Sequence, residues 1–188
     1  MATHGTVRII AGKWRRRRLT VVERTGVRPT PDRVRETLFN WLSDRIEGAR
    51  CLDLYAGSGA LGFEAASRGA DQVVMVERDR QVANRLHEQA AELGADRVRV
   101  IQADARAWLD VAAESYDIVF LDPPYGSVSL GQLCARLESG GYLRRGAVVY
   151  LESDRDDLEL GDGWRVLRSA RAGRVKYHLV SPYHGHQE

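Results

Sequence analysis

From residue 50 onward, short apolar runs recur at regular intervals, and no other feature constrains the fold as much. The runs are "CLDLY", "QVVMVE", "RVRVIQ", "YDIVFL" and "AVVYLE". Segments of helical length lie between them, such as "ALGFEAASRG" and "RQVANRLHEQAAELG". Strands alternating with helices predict a doubly wound α/β sheet, mostly parallel, with its ligand site at the carboxyl ends of the strands. After residue 160 the pattern changes, and "GWRVLRSARAGRVKYHLV" reads as two strands joined by a glycine-containing turn. An antiparallel C-terminal hairpin is therefore expected at the edge of the sheet.

The N-terminal quarter has a different character. "VRII" and "RRLTVV" read as two short strands around "AGKW", a β-hairpin arm over residues 1–28 with no large core of its own. Such an arm has to rest on the main domain, residues 29–188. In "RPTPDRVRETLFNWL", Thr30 fits a helix N-cap, Pro31 the first helical position and Asp32 the first turn. Val34, Leu38, Trp41 and Leu42 would form the buried stripe of that helix.

Composition narrows the function class. With 188 residues, 44% of them apolar, the chain is long enough for one substantial core. No apolar run approaches the roughly 18 residues of a membrane span, and the basic N-terminus lacks the apolar stretch of a signal peptide. Cytoplasmic residence is the expectation. Cys51 and Cys134 lack the spacing of a zinc site and read as reduced, buried residues. The histidines of the "HGHQE" tail, with His178 upstream, read as solvated rather than metal-binding, so no metal is expected.

The net charge of +2 hides an asymmetry. Residues 1–45 hold 11 Lys+Arg against 4 Asp+Glu, a balance of +7, whereas the remainder holds 17 against 22, a balance of −5. Lys13, Trp14 and the unbroken run Arg15, Arg16, Arg17 and Arg18 head the basic cluster, followed by Arg28 and Arg35. Adjacent arginines on a coreless arm repel one another and suit an anionic partner, so these residues are the candidate nucleic-acid contacts. Trp14 fits base stacking and arm anchoring equally well.

The first strand of the main domain runs into "DLYAGSGALG", where Gly57, Gly59 and Gly62 satisfy GxGxxG at a strand-to-helix junction. Glu77 ends the next strand, at the distance of an acid that accepts hydrogen bonds from ribose hydroxyls. Packing a helix on a sheet would also use such glycines, but the strand context and the acid favour a nucleoside cofactor. NAD would fit the same loop. Asp104, in "QADA", stands where a carboxylate can meet an adenine amine, and Asp53 stands near the cofactor's amino-acid end.

The stretch "FLDPPYG" discriminates further. Two prolines end a strand and hold the backbone after Asp122 stiff and extended. By itself the tetrapeptide is equally a strand-terminating turn. Beside a cofactor loop it suits a transferase acting on an exocyclic amine, with Asp122 and the Pro123 carbonyl as rigid acceptors and Tyr125 stacking on the base.

Together, "LDLYAGSGALGFEAASRGA", "VVMVERD", "QADA" and "FLDPPYG" resemble a class I S-adenosylmethionine-dependent methyltransferase of the amine-methylating kind, with a Rossmann-like sheet. "RIIAGKWRRRRL" followed by "RPTPDRVRETLFNWL" further resembles the 16S ribosomal RNA guanine(966)-N2 methyltransferase family. The likeness covers nearly the whole chain, and the second segment is the more specific signal. It implies S-adenosyl-L-methionine as cofactor, contacted by Gly57, Ser58, Gly59, Glu77, Asp104 and Ala105, with Asp53, Tyr55, Ala56 and Arg78 beside them. Thr30 and Arg33 would pack over its methionine end. Asp122, Pro123, Pro124 and Tyr125 would hold the target amine.

The implied substrate is 16S ribosomal RNA in the assembling or assembled small subunit, acted on by a monomer. The arm departs from the family pattern, with Ala11 near a usual second glycine and no glycine interrupting the arginine run. Two other readings stay open: an adenine-N6 DNA methyltransferase, and an RNA-binding protein with a non-catalytic nucleotide site.

Overall fold

The computed structural model describes residues 4–22, 30–124, 129–153 and 158–183. Strands β1 (His4–Arg8) and β2 (Arg18–Val22) pair antiparallel as the N-terminal hairpin. Helix α1 (Asp32–Trp41) leads to β3 (Arg50–Asp53), α2 (Ala60–Ser67), β4 (Gln72–Glu77), α3 (Arg80–Leu93) and β5 (Val98–Gln102). There follow α4 (Ala105–Leu109), β6 (Tyr116–Leu121), α5 (Leu130–Ser139), β7 (Leu143–Ser153), β8 (Trp164–Ala172) and β9 (Val175–Pro182).

The main sheet runs β5-β4-β3-β6-β7-β9-β8. Strands β3 to β7 pair in parallel, and β9 and β8 complete the sheet antiparallel, as the alternation and the C-terminal pattern predict. The chain winds outward from β3 in one direction and from β6 in the other. The switch point, where ligands bind in such sheets, therefore lies between β3 and β6.

Alternation within β6 feeds two cores. Ile118 and Phe120 join the layer of Leu38, Phe39, Leu42 and Phe63, while Val119 and Leu121 join that of Trp108, Leu133 and Leu137. Both cysteines are buried and free.

The arm rests on α2. Ile9, Trp14 and Leu19 enter the first core. Glu64 accepts the N–H groups of Ile10 and Ala11 at 2.7 and 3.0 Å. Ser67 Oγ accepts from Trp14 N–H at 2.9 Å and donates to the Ala11 carbonyl at 2.6 Å. The approach is so close that a Cβ on Gly12, at φ +81, would lie 1.8 Å from the Ser67 carbonyl oxygen.

Helix α1 starts later than its sequence suggests. Pro31 occupies the cap position and no side chain caps the helix. Thr30 does not serve as N-cap, because its hydroxyl is engaged by carboxylates at the ends of the sheet. Trp41 is half-buried rather than part of the inner stripe, and stacks on Tyr177 at 5.4 Å between ring centroids.

Candidate active site

The three glycines of the loop between β3 and α2 do different work. A Cβ on Gly59 would fall 2.6 Å from Leu86 and one on Gly62 2.5 Å from Met75, so these two let α2 pack on α3 and β4. Gly57, at φ +50, faces space in which a Cβ would meet only the Tyr55 carbonyl at 3.8 Å. Packing explains two glycines, and an open cradle remains at the third.

Glu77 braces that cradle. One carboxylate oxygen accepts Gly57 N–H at 3.0 Å and the other accepts Asp79 N–H at 2.8 Å. Each oxygen keeps a further lone pair for a ligand hydroxyl. Ala56 N–H donates to the Val76 carbonyl at 3.0 Å, and Ser58 Oγ accepts from Ala60 N–H at 3.3 Å, fixing the loop from within. Asp53, only 2% exposed, accepts Gly62 N–H at 3.1 Å. Burial, reinforced by the Glu77 charge, pushes its pKa up to about 7.

On the far side of the loop, Asp104 is exposed and caps α4, one oxygen accepting from the N–H groups of Arg106 and Ala107. Ala105 is buried at the start of that helix. Beside them the Tyr55 hydroxyl is buried without a hydrogen-bond partner among the described residues. Arg78 and Arg33 are exposed.

The second half of the site begins where β6 stops. Asp122 is half-buried, Pro123 buried and Pro124 exposed, while Tyr125 lies outside the described residues. Asp122 and Glu152 directly follow Leu121 and Leu151, which are partners across β6 and β7. Thr30 Oγ1 lies 3.5 Å from Asp122 and 3.1 Å from Glu152, and the Tyr150 hydroxyl donates to Glu152 at 2.7 Å. Burial and the Glu152 and Asp53 charges push the Asp122 pKa well up, and burial raises that of Glu152. Sequence reasoning missed Glu152 and Tyr150. The available signal was an acid closing the last parallel apolar run, "AVVYLE", as Glu77 closes its own.

All five parallel strands thus deliver an acid to one end of the sheet: Asp53, Glu77, Asp104, Asp122 and Glu152. Such a rim repels a pyrophosphate and attracts a cation. The residues fit S-adenosyl-L-methionine, with its sulfonium and ammonium charges and its ribose diol, better than they fit NAD.

The basic residues are dispersed. Lys13 and Arg15 to Arg18 are exposed at the arm's turn. That turn sits at the carboxyl ends of α2 and α3, with Lys13 N–H donating to Ser67 and Arg17 Nη2 to the Glu92 carbonyl. The 8-residue α2, about 12 Å long, separates it from the glycine loop. Arg28 lies outside the described residues.

Two expected RNA contacts need correction. Trp14 is only 9% exposed and anchors the arm. Arg35 is wholly buried, bonded to the Thr30 and Arg8 carbonyls and to Asp32, with Glu64 3.7 Å away. Its charge is consumed in joining arm, α1 and α2.

Residues 7–181 match the family model described as "Conserved hypothetical protein 95". Over 177 residues the chain is 43% identical to Ribosomal RNA small subunit methyltransferase D of Escherichia coli (strain K12), covering 93% of this chain and 89% of that one. The protein of the same name from Haemophilus influenzae is 41% identical, with 93% of each chain covered. Among solved structures, a putative methyltransferase from Escherichia coli superposes with a TM-score of 0.86 at 43% identity, over 95% of this chain and 98% of that one. With a match of this extent and relatives this similar along their length, the chain belongs to the Conserved hypothetical protein 95 family.

Proposed function

We propose that the chain transfers a methyl group from S-adenosyl-L-methionine to the exocyclic N2 amine of a guanine in 16S ribosomal RNA. The observation that carries this reading is the position of Asp122, held by two prolines at the switch point and one strand away from Asp53 and the glycine loop. The name the relatives carry, ribosomal RNA small subunit methyltransferase D, supports the class of enzyme and of RNA.

When bound, the cofactor supplies an electrophilic methyl group on a positively charged sulfur. Gly57, Ser58 and Gly59 would lie along it, the free lone pairs of Glu77 would take its ribose hydroxyls, and Asp104 its adenine amine. Tyr55, Ala56, Arg78 and Ala105 would line its adenosine side, and Asp53, Thr30 and Arg33 its amino-acid end.

An exocyclic amine is a poor nucleophile because its lone pair is delocalised into the ring. Asp122 and the Pro123 carbonyl accept its two hydrogens, and the prolines keep both acceptors immobile so that the lone pair points in line at the methyl carbon. With the cofactor bound, its methyl group would pass to the nitrogen and it would leave as the neutral thioether, while Asp122 would take the surplus proton from the nitrogen. Ionised carboxylates serve this role, and a cation held among them favours that form. Tyr125 stacks on the unstacked base.

The substrate is folded ribosomal RNA in the small subunit, which places the reaction in the cytoplasm, and the working unit is a monomer. The test offers labelled cofactor with naked 16S ribosomal RNA, small subunits lacking the modification, and duplex DNA, then identifies the labelled nucleoside by mass spectrometry. N2-methylguanosine from the ribosomal RNA is the expected product. N6-methyladenosine alone, or equal activity on DNA, would overturn the reading.

A further inference from the structure

Residues 163–183 contain four arginines and a lysine, Arg165, Arg168, Arg171, Arg174 and Lys176, and no aspartate or glutamate. The negative balance of the chain beyond residue 45 conceals this second basic segment. It forms β8, its turn and β9, and β8 is the outer edge of the sheet. All four arginines are exposed.

Their partners set them apart. Arg50, Arg85, Arg97, Arg99, Arg136 and Arg144 each pair with a carboxylate. Among the described residues none of the four edge arginines does. Arg168 donates to the Leu167 carbonyl at 3.0 Å and Arg171 to that of Gly173 at 2.8 Å, contacts that leave their charge uncompensated.

Direction matters as much as charge. Strand β9 is antiparallel to β7, so the β8–β9 turn lies at the carboxyl end of the parallel strands, where the site is. Ser153, next to Glu152, pairs with Lys176, which pairs with Arg171. Three interstrand steps, about 14 Å, separate Asp122 from the Arg171 strand. The arm's arginine run, by contrast, lies at the opposite end of α2.

From these placements we propose that Arg168, Arg171 and Arg174 bind the phosphate backbone of the RNA flanking the target nucleotide. This rests on the reading of the site as an RNA methyltransferase. A base drawn to Asp122 brings its neighbouring phosphates past this edge, and arginine suits them through paired N–H donors. Charged residues also protect edge strands from pairing with other chains. Here a bulge between Val166 and Arg168 already breaks the regularity of the edge, so protection leaves the three arginines unexplained.

The test compares the wild type with the variant carrying Arg168→Ala, Arg171→Ala and Arg174→Ala, and with Arg174→Glu alone. Affinity for naked 16S ribosomal RNA is measured across a salt series. The triple variant should bind at least tenfold more weakly, and its salt slope should shrink by roughly 0.7 to 0.9 per lost phosphate contact. Cofactor affinity and melting temperature should stay unchanged. Wild-type affinity and slope in the triple variant would overturn the proposal, as would self-association with RNA binding intact. RNA binding is read independently of the methylated base, so a failure here differs from the absence of N2-methylguanosine, which would end the functional reading itself.

Discussion

Asp122 and Glu152 end adjacent parallel strands with the Thr30 hydroxyl between them, 3.5 Å from the first and 3.1 Å from the second. One hydroxyl hydrogen cannot serve both acceptors at once. Tyr150 already donates to Glu152, so the chain of contacts closes fully only when a carboxyl group contributes a proton. Burial lifts both acids above their ordinary range, and at Asp122 the neighbouring Glu152 charge adds to the rise.

Replacing Glu152 by glutamine removes one of those charges while keeping an oxygen for Thr30 and Tyr150. The pKa of Asp122 should fall towards its ordinary value. If methyl transfer needs ionised Asp122, the rise of single-turnover rate with pH should move to lower pH in Glu152→Gln. A profile identical to the wild type would show that the two acids are not linked.

Asp53 gives the stability of the ligand-free protein a definite pH dependence. Its folded pKa of about 7 lies above the ordinary 3.8, so the folded state binds more protons than the unfolded state between those values. Stability attributable to this group is therefore full below the ordinary carboxylate range and lost as pH rises towards 7. A shift of this size corresponds to a loss on the order of 4 kcal/mol. Asp53→Asn should abolish that part of the decline, seen as a smaller drop in denaturation midpoint from pH 5 to pH 8. Parallel profiles for the two proteins would refute the account.

The parallel sheet and four of its five acids are legible in the sequence because each of the four stands in or just after an apolar run and belongs to a recognisable pattern: the glycine loop, the acid that follows it, "QADA" and "DPPY". Glu152 is harder to see. It precedes "SDRDD", so it reads as the start of a polar loop, and only the β6–β7 register places it beside Asp122. Arg35 and Trp14 mislead for a related reason. An arginine reads as exposed unless its partners are visible, and Glu64 and Ser67 are supplied by a helix distant in sequence. The basic C-terminal hairpin is hidden by averaging over an acidic remainder.

Glu77 holds the loop and, by the functional reading, the ribose. Glu77→Ala should weaken S-adenosyl-L-methionine binding by roughly 1.5 to 3 kcal/mol, the scale of hydrogen bonds to a charged acceptor. Calorimetry on the folded variant measures it. Unchanged affinity would remove the cofactor assignment from this residue.

Arg35 separates a structural charge from an RNA-binding one. Arg35→Met leaves Asp32 and Glu64 without their shared guanidinium, and breaking a buried pair costs about 3 to 5 kcal/mol. Glu64 keeps Arg68 and two arm N–H groups, which places the loss at the lower end of that range. The denaturation midpoint should fall while the salt slope of RNA binding, measured at a temperature where the variant is folded, stays unchanged. A reduced slope at full stability would restore Arg35 to the RNA surface.

Asp122 tests whether binding and chemistry divide as proposed. Among the described residues its carboxylate meets the Thr30 hydroxyl and makes no hydrogen bond to Gly57, Ser58 or Gly59, so Asp122→Ala should leave cofactor affinity nearly intact. The lost interaction is one that strengthens as the amine develops positive charge, and such an interaction lowers the rate rather than the affinity. Single-turnover methyl transfer to small subunits should therefore fall by at least about tenfold to a hundredfold, the span of one well-placed proton acceptor. Removing a group that opposes Glu152 should also raise the thermal midpoint at neutral pH. A stabilised, cofactor-binding protein with crippled transfer is the predicted phenotype. A near-normal rate would mean that the amine is held elsewhere, and the roles given to Asp122 and Pro123 would have to be withdrawn together.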